Sequence, residues 1–166
     1  LGSGLDPETT MGPLVSKEQQ ERVLSYIEAG RSEGAKLAAG GGNGADRGYF
    51  VRPTIFYNAR NDMKIAREEI FGPVMAVIPF EDPAEVVRLA NDTAYGLAAA
   101  VWTRDIGRAL RTAKALRVGI VWINDSQPAP SEAPWGGYKQ SGIGRELGPH
   151  GIEDYLEVKH IYVNLD

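Results

Sequence analysis

Two short stretches hold residue types that could do chemistry. Residues 67–74 read REEIFGPV, which sets Glu69 and Phe71 two positions apart, just ahead of a Gly-Pro turn. An ionised carboxylate can accept hydrogen bonds from both hydroxyls of a ribose. A neighbouring phenyl ring can pack on a flat heterocycle. A solvent-facing glutamate at a helix end and a core phenylalanine would satisfy the same pattern. Residues 133–148 read APWGGYKQSGIGRELG. Trp135, between Pro134 and Gly136, suits the aromatic wall of a pocket, and its ring face attracts a cationic group. The glycines here serve positive φ or a close backbone approach to a ligand, or else a flexible turn. Neither the phosphate-loop pattern nor the G-x-G-x-x-G fingerprint is present. Glu146 is either an ion-pair partner of Arg145 or a nearby lysine, or a buried carboxyl with a raised pKa that relays protons. His150 and His160 stand without ligand-spaced partners, so no metal site is expected. The chain has no cysteine, which excludes a thiolate nucleophile, disulfides and thiolate–metal sites among its own residues.

The elements that must carry these residues are legible as periodicity. Ser16 and Gln19 have capping-box spacing, and Val23, Leu24 and Ile27 follow at helical intervals until Gly30 or Gly34. Residues 35–38 form a short strand candidate. Residues 49–56 read as extended, interrupted by Pro53, and residues 73–80 read as an apolar strand. Asp82-Pro83-x-Glu85 is a helix start with a cap, a proline at the first position and an acid at the third. Its apolar face is Val86, Val87, Leu89 and Ala90. Residues 97–102 and 119–123 read as buried strands. Between them, Asp105 caps a helix with Ile106, Ala109, Leu110 and Ala113 on one stripe. Asn124 is expected to fix its loop by side-chain to backbone bonds. A last strand is expected at residues 158–163. Buried strands alternating with amphipathic helices predict an α/β fold with a mainly parallel sheet and flanking helices. Site residues are then expected at the carboxyl ends of strands. The terminal strand has no partner in that series and suits the sheet edge of another subunit.

Composition sets the remaining bounds. A length of 166 residues, 43% hydrophobic and 24% charged, fits a globular domain with a sizeable core. A net charge of −4 with no basic stripe argues against nucleic acid as a partner. No apolar run reaches the roughly 18–20 residues of a membrane span, so no membrane partner is expected. The first residues lack a signal-peptide pattern and an initiator Met, and they begin as a loop, which suggests a fragment. The balance favours a cytoplasmic origin.

Taken in order, the motifs LDPETTMGPLVS, GYFVRPTIF, EEIFGPV, NDTAYGLAAAVWT, GIVWIN, PWGGYKQSGIGRELG and GIEDYLEVKHI resemble the C-terminal part of the NAD(P)-dependent aldehyde dehydrogenase family across essentially the whole chain. The resemblance implies that Glu69 holds the nicotinamide ribose and that Phe71 packs beside the nicotinamide. It places Gln19 and Arg22 at further cofactor contacts and Leu97 near the nicotinamide. Trp135, Ile120 and residues 127–130, Ala129 among them, resemble part of the substrate funnel. Glu146 resembles a glutamate that passes protons from the active site. Within the family the sequence looks most like the betaine aldehyde and aminoaldehyde branch. The cofactor implied is NAD or NADP, with NAD favoured. The implied reaction oxidises an aldehyde to an acid through a cysteine thiohemiacetal and thioester. The family's cysteine, its general-base glutamate and its oxyanion-hole asparagine lie upstream of the matching part, so the chain by itself is expected to be inactive. The implied division is residues 1–156 as catalytic-domain part and residues 157–166 as an oligomerisation strand of a homo-oligomer. The alternative is a stand-alone, non-catalytic binding or assembly module that keeps the fold.

Overall fold

The computed structural model describes residues 1–166. The chain forms two compact units, Leu1–Glu81 and Asp82–Asp166. In the first, α1 spans Lys17–Ser32. Ser16 starts it in extended conformation, and its hydroxyl accepts the Gln19 N–H at 3.2 Å. Glu33 caps the far end, and Gly34 at φ +92° turns the chain out of the helix, as a residue without Cβ readily does. Three short strands follow, β1 (Lys36–Ala39), β2 (Thr54–Tyr57) and β3 (Val74–Ala76), with the one-turn helix α2 (Lys64–Arg67) between the last two. The Glu33 carboxylate accepts the Lys64 N–H at 2.8 Å, so the end of α1 also caps the start of α2.

The sheet order is β1-β2-β3. The β2–β3 pair is parallel, as expected, but β1–β2 is antiparallel. The reason is the connection. The loop 40–53 contains no crossover helix, and a parallel pair requires one. Val23, Tyr26 and Ile27 of α1 are buried against Val51, Phe56, Met63, Ile65 and Ile70. Gly30 allows the close approach, since a Cβ there would sit 3.0–3.2 Å from Ile65 and the Phe56 ring. Thr54, buried among apolar groups, donates to Arg52 O and accepts the Gly41 N–H, so its hydroxyl is satisfied.

The second unit contains α3 (Pro83–Asn91), β4 (Tyr95–Gly96), β5 (Ala98–Val101), α4 (Ile106–Ala115), β6 (Ile120–Ile123), β7 (Tyr138–Lys139) and α5 (His150–Glu153). Asp82 caps α3 by accepting the Glu85 N–H at 2.8 Å, with Pro83 opening the helix as its spacing predicts. Strands β5 and β6 run parallel, joined through α4, whereas β4 and β7 pair antiparallel. The expected "mainly parallel" sheet is therefore a mixed set of two parallel and two antiparallel pairs.

Two expectations about burial fail here. Residues of β5 and β6 are mostly half-buried rather than buried, and Trp102 is exposed. Of the α4 stripe only Ala109 is buried, while Ile106 and Leu110 face solvent. Both follow from a two-stranded sheet, which cannot enclose its own faces. The strand expected at 158–163 is also not formed. Val158, Ile161 and Tyr162 are exposed, and the segment pairs with no strand of this chain. A ladder exists only where a second edge supplies its hydrogen bonds, and apolar periodicity alone cannot provide one.

Helix α4 has an acid-sensitive start. The Arg108 N–H donates to Asp105 at 2.9 Å, and this bond above all holds the Asp105 carboxyl below its ordinary value of 3.8. A carboxyl lowered on folding adds stability above its unfolded pKa and loses it as pH falls through the folded value. Amide exchange across α4 is therefore expected to accelerate selectively as pH drops below about 3.8, once corrected for intrinsic rates. An Asp105→Ala variant should show the faster corrected exchange already at neutral pH, without that acid step.

Candidate functional site

The candidate residues form one group in each unit. In the first, a single face of α1 grips the segment after α2. Gln19, Arg22 and Tyr26 lie three and four residues apart, so they share that face. The Gln19 amide donates to Ile70 O at 3.0 Å and to Phe71 O at 2.9 Å. Arg22 donates to Glu69 O at 3.1 Å, and the Tyr26 hydroxyl donates to the Glu68 carboxylate at 2.7 Å. Four consecutive residues, 68 to 71, are thus each held by a side chain from one helix. Ser16 and Gln19 have capping-box spacing, yet the Gln19 side chain reaches forward to the segment instead of back to Ser16.

The consequence is an outward display of two side chains. Phe71 adopts φ +54°, a left-handed conformation that is uncommon for a bulky residue. Its ring is 71% exposed, so the reading of Phe71 as a core residue is excluded. Gln19 bonds the carbonyls on either side of this turn and so holds the strained residue in place. Glu69 is exposed too, and its backbone carbonyl, not its carboxylate, takes the Arg22 bond. A carboxylate and a phenyl ring standing free on a braced backbone fit a ribose and a flat ring respectively.

In the second unit, glycines bring three backbones together. A Cβ on Gly119 would overlap the Gly136 carbonyl, and one on Gly96 would lie 2.7 Å from Arg117 O. This close approach seats the 136–148 loop against the start of β6. Trp135 N donates to Glu146 O at 2.7 Å and Glu146 N to Trp135 O at 2.8 Å, which closes the neck of the loop. Within it, Arg145 donates to Gly137 O, Ile143 O and Gly144 O, and its guanidinium lies 5.4 Å from the centre of the Tyr138 ring. Arg145 therefore serves backbone carbonyls rather than Glu146. Glu146 is exposed, not buried, because its loop-neck bridge to Trp135 is made through the backbone and leaves the side chain uncovered. It lines a recess of about 380 Å³ with Leu97, Trp135, Arg145 and Asp154.

Trp135 also lines a groove of about 290 Å³. Ile120, Trp122, Pro128, Ala129, Pro134 and Trp135 are among its walls. The Trp122 and Trp135 rings lie 6.1 Å apart at 49°, and the Trp122 indole donates to Pro128 O at 3.0 Å, which fixes the loop after β6. That loop starts at Asn124, in left-handed conformation. Asn124 exchanges two side-chain bonds with the backbone of Thr103, as expected. The groove is thus apolar, part aromatic, and open on one side.

The aldehyde dehydrogenase family model matches residues 1–161. The chain belongs to the aldehyde dehydrogenase family. It is 54% identical to betaine aldehyde dehydrogenase of Bacillus subtilis (strain 168), and the match covers 99% of this chain and 34% of that protein. It is 48% identical to aldehyde dehydrogenase 1A1 of Gallus gallus, over 99% of this chain and 32% of that one. Among solved structures, the NAD+ complex of aldehyde dehydrogenase from Bacillus cereus superposes with a TM-score of 0.95 at 55% identity, covering 99% of this chain and 34% of that chain. Betaine aldehyde dehydrogenase from Staphylococcus aureus with NAD+ gives 0.89 at 50% identity, over 94% of this chain and 32% of that one. The chain spans about a third of the length of these aldehyde dehydrogenases.

Sequence reasoning passed over Tyr26, Glu68 and Trp122. Tyr26 carried a usable signal, because it lies seven residues after Gln19 and four after Arg22 on one helical face. Glu68 and Trp122 carried none, since both depend on contacts made at long range.

Proposed function

We propose that this chain supplies one part of an NAD-dependent aldehyde dehydrogenase: a nicotinamide-ribose clamp in its first unit and a wall of the aldehyde entrance in its second. The observation that carries the reading is the braced segment 68–71, which displays Glu69 and Phe71 outward from a backbone held by α1. The Glu69 carboxylate accepts the ribose hydroxyls and the Phe71 ring packs beside the nicotinamide. NAD+, when bound, accepts the hydride that the aldehyde loses. The relatives of known structure that carry NAD+ support this choice of cofactor. Gln19 and Arg22 brace the clamp, and Leu97 and Glu146 border the recess beside Trp135. Glu146, exposed to water, is suited to hand a proton to solvent.

The chain has no cysteine, so the nucleophile comes from polypeptide outside these 166 residues. The substrate favoured is betaine aldehyde or an ω-aminoaldehyde. Paired indole faces attract an ammonium group while the proline and alanine walls accept its methyl or methylene groups. Ile120 narrows the same groove, which favours the slimmer ammonium head. Residues 157–166, in which Val158, Ile161, Tyr162, Val163 and Leu165 are exposed and no strand is formed, act as the oligomerisation strand on another subunit's sheet edge.

The purified 166-residue chain is expected to show no NAD-dependent oxidation of any aldehyde. The test of substrate uses this chain joined to a cysteine-bearing upstream portion, comparing kcat/KM for betaine aldehyde, an ω-aminoaldehyde, acetaldehyde and benzaldehyde. A preference for the cationic aldehydes is expected. Preference for the neutral ones removes the cation assignment, and turnover by the chain alone removes the whole proposal.

A further inference from the structure

The segment 68–71 needs an anchor at its start as well as at its left-handed turn. Arg22 and Gln19 hold the carbonyls of residues 69 to 71. Residue 68 is tied to α1 by the 2.7 Å bond from the Tyr26 hydroxyl to the Glu68 carboxylate. Its geometry is well defined on both sides. The Tyr26 ring is buried in the core. The Lys64 ammonium lies 4.9 Å from its ring centre and the Arg22 guanidinium 5.7 Å. Two cations and a carboxylate therefore meet at one phenol, immediately behind Glu69. Glu68 itself follows α2 in extended conformation and, although exposed, reaches back with its carboxylate to the Tyr26 hydroxyl, whereas the exposed Glu69 is bonded to α1 through its backbone carbonyl.

We propose that Tyr26 and Glu68 form a positioning pair that sets the direction of Glu69 and Phe71 toward the nicotinamide nucleotide. The proposal rests on the clamp reading above. The pair touches no cofactor. It acts by fixing the backbone from which the two displayed side chains project. A hydrogen bond to a carboxylate is stronger than one between neutral groups, and a misplaced binding group loses much of its effect. In keeping with this, the Glu68 bond, more than burial, holds the Tyr26 phenol above its ordinary value of 10.0.

The test uses the 15N-labelled 166-residue chain and four variants, Tyr26→Phe, Glu68→Gln, Glu68→Leu and Glu69→Gln. Without ligand, backbone order parameters at residues 69–71 report the positioning alone. They are expected near the ~0.85 of rigid backbone in the wild type and below ~0.6 in Tyr26→Phe and Glu68→Leu. Glu68→Gln still accepts the phenol hydrogen and should stay near the wild type. Amide protection at Val23 and Ile27 should be equal in all of them. Nicotinamide mononucleotide is then titrated as the probe. Wild type should show saturable shifts at residues 69–71, weakened about tenfold in Tyr26→Phe by loss of the bond and weakened also in Glu69→Gln, which keeps one acceptor oxygen but loses the charge and the second.

If Tyr26→Phe leaves both order and titration unchanged, the positioning pair is wrong. If α1 protection falls along with the order, Tyr26 is only a core residue and the proposal is overturned. If the order responds as expected but the probe shifts nothing even in the wild type, the pair positions the segment and the clamp reading is what fails.

Discussion

Phe56→Ala is expected to cost about 3–5 kcal/mol, the range for truncating a fully buried aromatic ring. Phe56 is wholly buried in the first unit, on β2, where its ring meets the face of α1 at Gly30. Removing the ring leaves a cavity between helix and sheet that Gly30 cannot fill, because it has no side chain to move. For a unit of this size each kcal/mol shifts the melting temperature by roughly 4–8 °C, so the unit should lose most of its thermal margin. Calorimetry of the purified chain measures this directly. A drop under about 5 °C would mean that the core between α1 and β2 is not what supports the unit. Because α1 also carries Gln19, Arg22 and Tyr26, the same variant should disorder residues 68–71 well before the rest of the chain unfolds.

Gly119→Ala is expected to open the aromatic groove. The added methyl would overlap the Gly136 carbonyl oxygen, and its next neighbours are also main chain, with the Gly136 carbonyl carbon at 2.8 Å and Gly137 Cα at 3.2 Å. Backbone cannot swing aside as a long side chain does, so the 136–148 loop must lift from β6. Trp135 sits at the head of that loop and Trp122 on β6, so their 6.1 Å approach is lost with it. The coupled indole signal in near-ultraviolet circular dichroism should disappear, together with any quenching of tryptophan fluorescence by a quaternary ammonium such as choline. A variant that keeps the coupled signal would show that close packing at Gly119 does not hold the loop. Gly142→Ala is the contrasting case: a Cβ there meets nothing within 4 Å, and its cost is confined to φ +97°.

The two glycine effects show how the two kinds of information divide. Amino-acid types and spacing determined the local elements. Ser16, Asp82 and Asp105 each cap a helix where their positions predict it, because an N-cap is a bond across three residues and needs nothing from farther away. Apolar runs marked β2, β3, β5 and β6, and Asn124 braces its loop as its type suggests. The ordered motifs were enough to place the chain in the aldehyde dehydrogenase family.

Tertiary structure decided what those residues face. The pairing of β1 with β2 turned antiparallel because the connection between them holds no helix. The segment 158–163 stayed unpaired because a strand's hydrogen bonds belong to its neighbour. Gln19, whose type and position gave no hint of a bracing role, holds the carbonyls of Ile70 and Phe71. Arg145, read as a partner for Glu146, proved to hold the glycine loop instead. Tyr26 and Glu68 are 42 residues apart, and no local pattern links them. Hydrogen bonds and ring contacts act over a few ångströms of space, whatever the separation along the chain. A sequence states which groups are available, and the packing of α1 on its sheet and of the glycine loop on β6 determines which of them meet.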